Sequence, residues 1–165
     1  MQVKSIHRKD SGFFSQQQVE LVYNQKKYAD FLNQPFSVEA FKSQIQQKQA
    51  NYSTANRTVL VQAIQQQYAG LNLHEAVSKN LDKLALENTF TITTGHQLVA
   101  MTGPLYVIYK IGHVIQTCKE LSTQYPEQNF VPVFWMATED HDYEEIKSFH
   151  LFNRTISWET DQNGP

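Results

Sequence analysis

Apolar residues recur at three- and four-residue intervals through the first ninety positions, and after residue 90 the period changes. Ser15-Gln16-Gln17-Gln18 matches a capping box, with Ser15 as cap and Gln18 reaching back. The helix it opens is expected to run to about Phe31, where Asn33-Gln34-Pro35 stops it. Ser37 is placed to cap a second helix, with Phe41, Ile45 and Tyr52 on one face. The spacing predicts a third helix over 58–69 that buries Leu60, Ile64 and Tyr68, with Gly70 as its stop. A fourth fits 73–87, with Val77, Leu81 and Leu84 inward.

The organising stretch follows, over 90–142. Phe90-Thr91-Ile92-Thr93-Thr94 is rich in β-branched residues and reads as a strand. A loop then runs from Gly95-His96-Gln97 to Thr102-Gly103-Pro104, and Pro104 suits the first turn of a helix. Leu105, Ile108, Ile111, Ile115, Cys118 and Leu121 form the apolar stripe expected to face a core. Residues 130–137 are almost wholly apolar, the pattern of a strand covered on both faces, with Trp135 and Met136 in the core. Together these make a βαβ unit with polar groups at the carboxyl ends of both strands, where open α/β sheets bind ligands. The tail reads as a short helix at Tyr143-Glu144-Glu145-Ile146. A strand pair around Asn153-Arg154 follows, with Trp158 filling the space beneath it. The fold class is therefore α/β, with a mostly helical region over 1–88 and the first βαβ part of a parallel sheet over 89–165. Two parallel strands and a hairpin make a thin sheet with open edges, so the chain reads as the N-terminal piece of a longer protein.

Composition changes this picture little. The formal charge of −2 offers no electrostatic case for nucleic acid or an anionic membrane. A lone cysteine, Cys118, excludes an intrachain disulfide and fits a reducing cytoplasm. No stretch reaches the ~18 apolar residues of a membrane span.

Chemistry concentrates at two places. Glycines at Gly95 and Gly103 flank the strand-to-helix connection, where helix N–H groups can hold an anion or phosphate. The pattern is neither a Walker loop nor G-x-G-x-x-G, so a plain connection explains it equally well. His96 beside Gly95 suits either an acid/base or a phosphate donor, or a loop histidine satisfying a carbonyl. The second place is Glu139-Asp140-His141-Asp142, three carboxylates around one imidazole directly after the second strand. Such a cluster can tune a histidine, orient an amine or move a proton. Acidic residues starting a helix explain Asp142 without explaining His141. Ligand spacing for a metal is absent, so none is expected. Lys110-Ile111-Gly112-His113 resembles the "HIGH" signature of class I aminoacyl-tRNA synthetases. It lies about two turns inside the helix, however, and with Tyr106 and Tyr109 it reads as a partly exposed helix face from which Lys110 can reach a ligand. Cys118 on the apolar stripe reads as a buried hydrophobe.

Taken together, Thr94-Gly95-His96-Gln97, Thr102-Gly103-Pro104-Leu105-Tyr106 with Tyr109-Lys110, and Val131-Pro132-Val133-Phe134-Trp135-Met136-Ala137 with Glu139-Asp140-His141-Asp142 resemble the cysteine-adding enzymes of bacillithiol biosynthesis, the BshC family. The match is close over about 90–150 and loose before it. It implies a Rossmann-like core related to nucleotidylyltransferases. The implied activity is that of a ligase joining cysteine to glucosaminyl malate through an amide, with ATP to activate the carboxylate. The partners implied are these small molecules, in a cytoplasmic protein whose full-length form dimerises through a coiled coil. Carried over by position, the catalytic residues are His141, Asp140 and Asp142, and the substrate- or nucleotide-binding residues are Gly95, His96, Gln97 and Gly103, with Lys110 in reach. His96 departs from the glutamine commoner in the family. Two other readings stand beside this one, a nucleotide- or sugar-binding module without turnover and a nucleotidylyltransferase acting on another small molecule.

Overall fold

The computed structural model describes residues 4–100, 102–140 and 142–161. Its contacts fall into two compact units, Met1–Asn51 and Tyr52–Pro165. In the first, helix α1 (Gln16–Tyr23) opens with the expected capping box. The Gln18 N–H donates to Ser15 Oγ at 3.3 Å and the Ser15 N–H donates to Gln18 Oε1 at 2.8 Å. The helix does not reach Phe31. Asn24 leaves helical geometry at φ −136° and ψ 55°, and a 3₁₀ stretch, Gln25–Phe31, follows. Lys27 folds back onto Glu20 at 2.5 Å and holds that carboxyl below the usual carboxylate range. Helix α2 (Ala40–Asn51) starts where the Ala40 N–H meets Ser37 Oγ at 3.3 Å, and it buries Ile45. Tyr52 lies beyond its end and is exposed.

The second unit is built around a parallel strand pair. Helix α3 (Thr54–Gln67) begins four residues before the expected start, because Ser53 accepts from the Asn56 N–H at 3.2 Å. It turns Arg57 and Val61 inward and leaves Leu60 exposed, one helical step away from the expected face. Ile64 and Tyr68 pack as expected. Helix α4 (Glu75–Leu84) is capped by His74, whose Nδ1 accepts from the Ala76 N–H at 3.2 Å. It buries Leu81 and Leu84. Arg57 ties the end of α4 to the first strand: Nη1 donates to the Leu84 carbonyl at 3.0 Å and Nη2 to that of Thr89 at 3.2 Å.

Strand β1 (Thr89–Gln97) pairs in parallel with β2 (Asn129–Ala137), in register from Thr89↔Asn129 to Gln97↔Ala137. Helix α5 (Leu105–Gln124) connects them and packs on both. On one face, Val131 joins Val61, Leu81 and Leu84, with Val77 and Val133 against them. On the other, α5 buries Val107, Val114, Cys118 and Leu121. The expected stripe is thus only half right. Leu105, Ile108, Ile111 and Ile115 are exposed, because β-branched Val107 and Val114 supply a second apolar row and the sheet selects that one. Burial of β2 also ends early. Phe130 and Val131 are buried, whereas Trp135 and Met136 are 62% and 61% exposed and do not belong to the core.

The tail forms helix α6 (Tyr143–Ile146) and an antiparallel hairpin, β3 (Ser148–Leu151) with β4 (Arg154–Ser157). Phe152 and Asn153 make its turn with φ of 48° and 60°, the pair of left-handed residues that suits strand twist. Trp158 is 61% exposed and stands edge-on to Tyr143 instead of filling space beneath the hairpin.

Candidate functional site

The expected loop at Gly95 is strand. β1 continues through Gly95-His96-Gln97 opposite Trp135-Met136-Ala137, so these residues sit at fixed register positions. Gly95 is required by space: a Cβ there would lie 2.7 Å from the Trp135 carbonyl oxygen. The turn proper comes later. Thr102 and Gly103 take φ of 71° and 66°, and the Gly103 N–H donates to the Ala100 carbonyl at 2.7 Å. A Cβ on Gly103 would lie 2.7 Å from Val99 Cβ, so both conformation and space favour glycine. Helix α5 then starts behind Pro104 without a side-chain cap, and within its first turn the Val107 N–H donates to the Pro104 carbonyl at 2.9 Å.

Parallel register brings the two strand ends together. Gln97 Nε2 donates to Asp140 Oδ2 at 2.8 Å, joining residues 43 positions apart. Alternation along β1 sends His96 to the α5 face, where its Nε2 lies 2.5 Å from the Tyr106 hydroxyl. Its Nδ1 lies 3.0 Å from the Gln97 carbonyl oxygen. One turn after Tyr106, Lys110 donates through Nζ to the Gly95 carbonyl at 2.6 Å, and its ammonium lies 5.8 Å from the Tyr106 ring centroid. No carboxylate pairs with Lys110 among the described residues. Tyr106 and Lys110 also line a cleft of about 930 Å³ between the open edge of β1 and α5, with Thr93, Thr94, Tyr109 and His113. The polar face of α5 therefore borders a cavity, and Gly112-His113 belongs to its wall inside the helix.

Of the residues singled out from sequence, Gly95, His96, Gln97 and Asp140 meet at one rim, and Lys110 reaches it through the Gly95 carbonyl. Gly103 stands in the turn before α5. Asp142 lies at the start of α6, where its carbonyl accepts from the Glu145 and Ile146 N–H groups. No hydrogen bond links its side chain to the rim among the described residues. His141 falls outside the described residues. Burial pushes the Cys118 thiol up to about 11, which leaves it protonated and unreactive near neutral pH. Among the described residues, no group of three or more His, Cys, Asp or Glu side chains is placed to hold a metal. No helix is long and apolar enough to cross a membrane.

Of two further positions, the sequence marked Tyr106 only as part of a helix face and a motif, and Arg57 not at all. Tyr106 is the partner of His96, and its spacing of four from Lys110, the neighbour distance on a helix, was the available signal. Arg57 is a buried clamp with no sequence signal, because its acceptors are carbonyls of residues 27 and 32 positions away.

Residues 1–164 match the family model described as bacillithiol biosynthesis BshC, N-terminal Rossmann-like domain. A protein of Flavobacterium johnsoniae named "Putative cysteine ligase BshC" is 42% identical over all of this chain and 31% of its own length. One of Flavobacterium psychrophilum with the same name is 44% identical over 99% of this chain and 31% of its own length. A third, from Christiangramia forsetii, is 39% identical over 96% and 29%. The chain thus spans about a third of the length of the curated relatives it matches. The Rossmann-like reading and the resemblance to this family are both borne out, and the chain belongs to the BshC family through its N-terminal Rossmann-like domain.

Proposed function

We propose that the whole protein of which this domain is part joins cysteine to glucosaminyl malate through an amide bond, with ATP activating the cysteine carboxylate. The observation that carries this reading is the Gln97–Asp140 bond across the carboxyl ends of two parallel strands, because it fixes a carboxylate at the place where such sheets bind ligands. Each neighbouring group then has a task. The uncapped first turn of α5, with Gly103 before it, receives phosphate oxygens. Lys110 supplies a cation without a carboxylate partner on that side. Asp140, already oriented by Gln97, accepts from the ammonium of cysteine. The amine of glucosaminyl malate attacks the activated acyl carbon and forms the C–N bond, and the leaving group departs with the electron pair of the broken bond. The proton released by the amine passes to His141, next to Asp140 in the chain.

The test is an assay of full-length protein for ATP-dependent product from cysteine and glucosaminyl malate. Asp140→Ala should lower kcat/KM by about 100-fold, a typical loss for a positioned charged group. Failure of the wild type to form product, or full activity in Asp140→Ala, would sink the reading. ATP or sugar binding without product would instead indicate a binding module.

A further inference from the structure

One pair on the rim has a hydrogen-bond polarity that its neighbours dictate. The Gln97 carbonyl oxygen can only accept, so His96 Nδ1, 3.0 Å away, carries a proton. In the neutral imidazole this leaves a lone pair on Nε2, and the group facing it at 2.5 Å is the Tyr106 hydroxyl. In that neutral form Tyr106 donates to His96. Its only proton is committed there, and what it offers to any other molecule is the lone pairs of its oxygen. The ring is held from two sides. The His96 imidazole sits 5.3 Å away by centroid, tilted by 52°, and the Lys110 ammonium lies 5.8 Å from the ring centroid. Tyr106 is nevertheless 45% exposed and lines the cleft beside Thr94, Lys110 and His113.

We propose that Tyr106 is a substrate-binding residue of this cleft, an acceptor for the N–H of a primary amine, and that His96 is the positioning residue that sets its polarity. The charge nearby sharpens the ligand class. Lys110 adjoins Tyr106, and a cation there disfavours the ammonium form of an incoming amine relative to the free base. The free base is the nucleophilic form. Asp140 lies on the other side of Gln97 and suits an ammonium that stays charged. The rim therefore separates two amines, one kept charged at Asp140 and one kept neutral at Tyr106. This assignment rests on the ligase reading only for the identity of the two amines.

The test uses full-length protein labelled with ¹⁵N-histidine, with the His96 resonances assigned by their loss in His96→Gln. Wild type should show the Nδ1–H tautomer, and Tyr106→Phe should shift the Nε2 resonance as its donor disappears. In steady state, Tyr106→Phe should raise KM for the amine substrate about tenfold, the worth of one good hydrogen bond, while KM for cysteine stays put. His96→Gln, whose side-chain oxygen can accept the phenolic proton, should retain the amine KM, whereas His96→Leu should not. An Nε2–H tautomer in the wild type, or an unchanged amine KM in Tyr106→Phe, overturns the proposal. If the ligase reading fails because no product forms, the tautomer together with the affinity for D-glucosamine in wild type and Tyr106→Phe decides this proposal separately.

Discussion

The lower and upper halves of the same two strands have opposite characters. At the start, Thr89, Phe130 and Val131 are buried, sealed by α3 and α4 on one face and α5 on the other. At the end, Trp135 and Met136 stand exposed, and β1 turns from β-branched residues to Gly95-His96-Gln97. Hydrogen bonding continues without a break from the sealed half to the open half, so the ladder acts as a ruler. The lower half stabilises it through burial. The upper half uses it to hold polar groups at fixed separations in a place where little else covers them. Buried packing and the exposed polar cluster are thus divided along the strand axis, and a substitution's effect on stability should depend on height along the sheet more than on residue type.

That division can be broken deliberately. The largest effect is expected at Leu121, the most completely buried side chain of α5 at 1% exposure. Leu121→Ala should cost about 2–5 kcal/mol, read as a lower urea midpoint at unchanged slope. Next comes Arg57, at the bottom of the sheet. Arg57→Leu leaves the Leu84 and Thr89 carbonyls without their donor, for about 1–3 kcal/mol in thermal or urea unfolding. Because Arg57 joins the end of α4 to the start of β1, hydrogen exchange should quicken at the lower end of β1 before its upper end. The smallest effect on stability belongs to the top. Trp135→Ala removes the largest apolar side chain of β2 yet should change unfolding free energy by no more than about 0.5 kcal/mol, because that ring is 62% exposed. A loss at Trp135 as large as that at Leu121 would show that the two halves are not divided in this way.

The lower half was the more legible in sequence. The Leu81 and Leu84 face of α4 and the βαβ order follow from local rules of spacing, and the structure keeps them, as it keeps the Ser15 capping box in the other unit. Errors came where two local answers competed. Helix α5 carries two apolar rows, Leu105-Ile108-Ile111-Ile115 and Val107-Val114-Cys118-Leu121 converging at its end, and periodicity alone has no means of ranking them. The apolar run 130–137 similarly announces a strand but says nothing of how far up the strand the covering helices reach. Of the candidate site, Gly95, His96, Gln97, Asp140 and Lys110 were singled out from residue type and position, and the structure brings them to one rim. Tyr106 was seen only as part of a helix face, because its partner lies across the strand–helix packing.

By itself, then, the amino-acid sequence determined the order of elements, the α/β class, the family and the two stretches where polar chemistry gathers. These rest on interactions between residues close in the chain, or on motifs whose combination is specific. Only the tertiary structure decided that β1 continues through Gly95-His96-Gln97, that Gln97 meets Asp140, and that Tyr106 and Lys110 turn to the rim. Those facts depend on parallel register and on the rotation of α5 about its axis. Both are set by packing between residues distant in the chain, where no local periodicity carries the information.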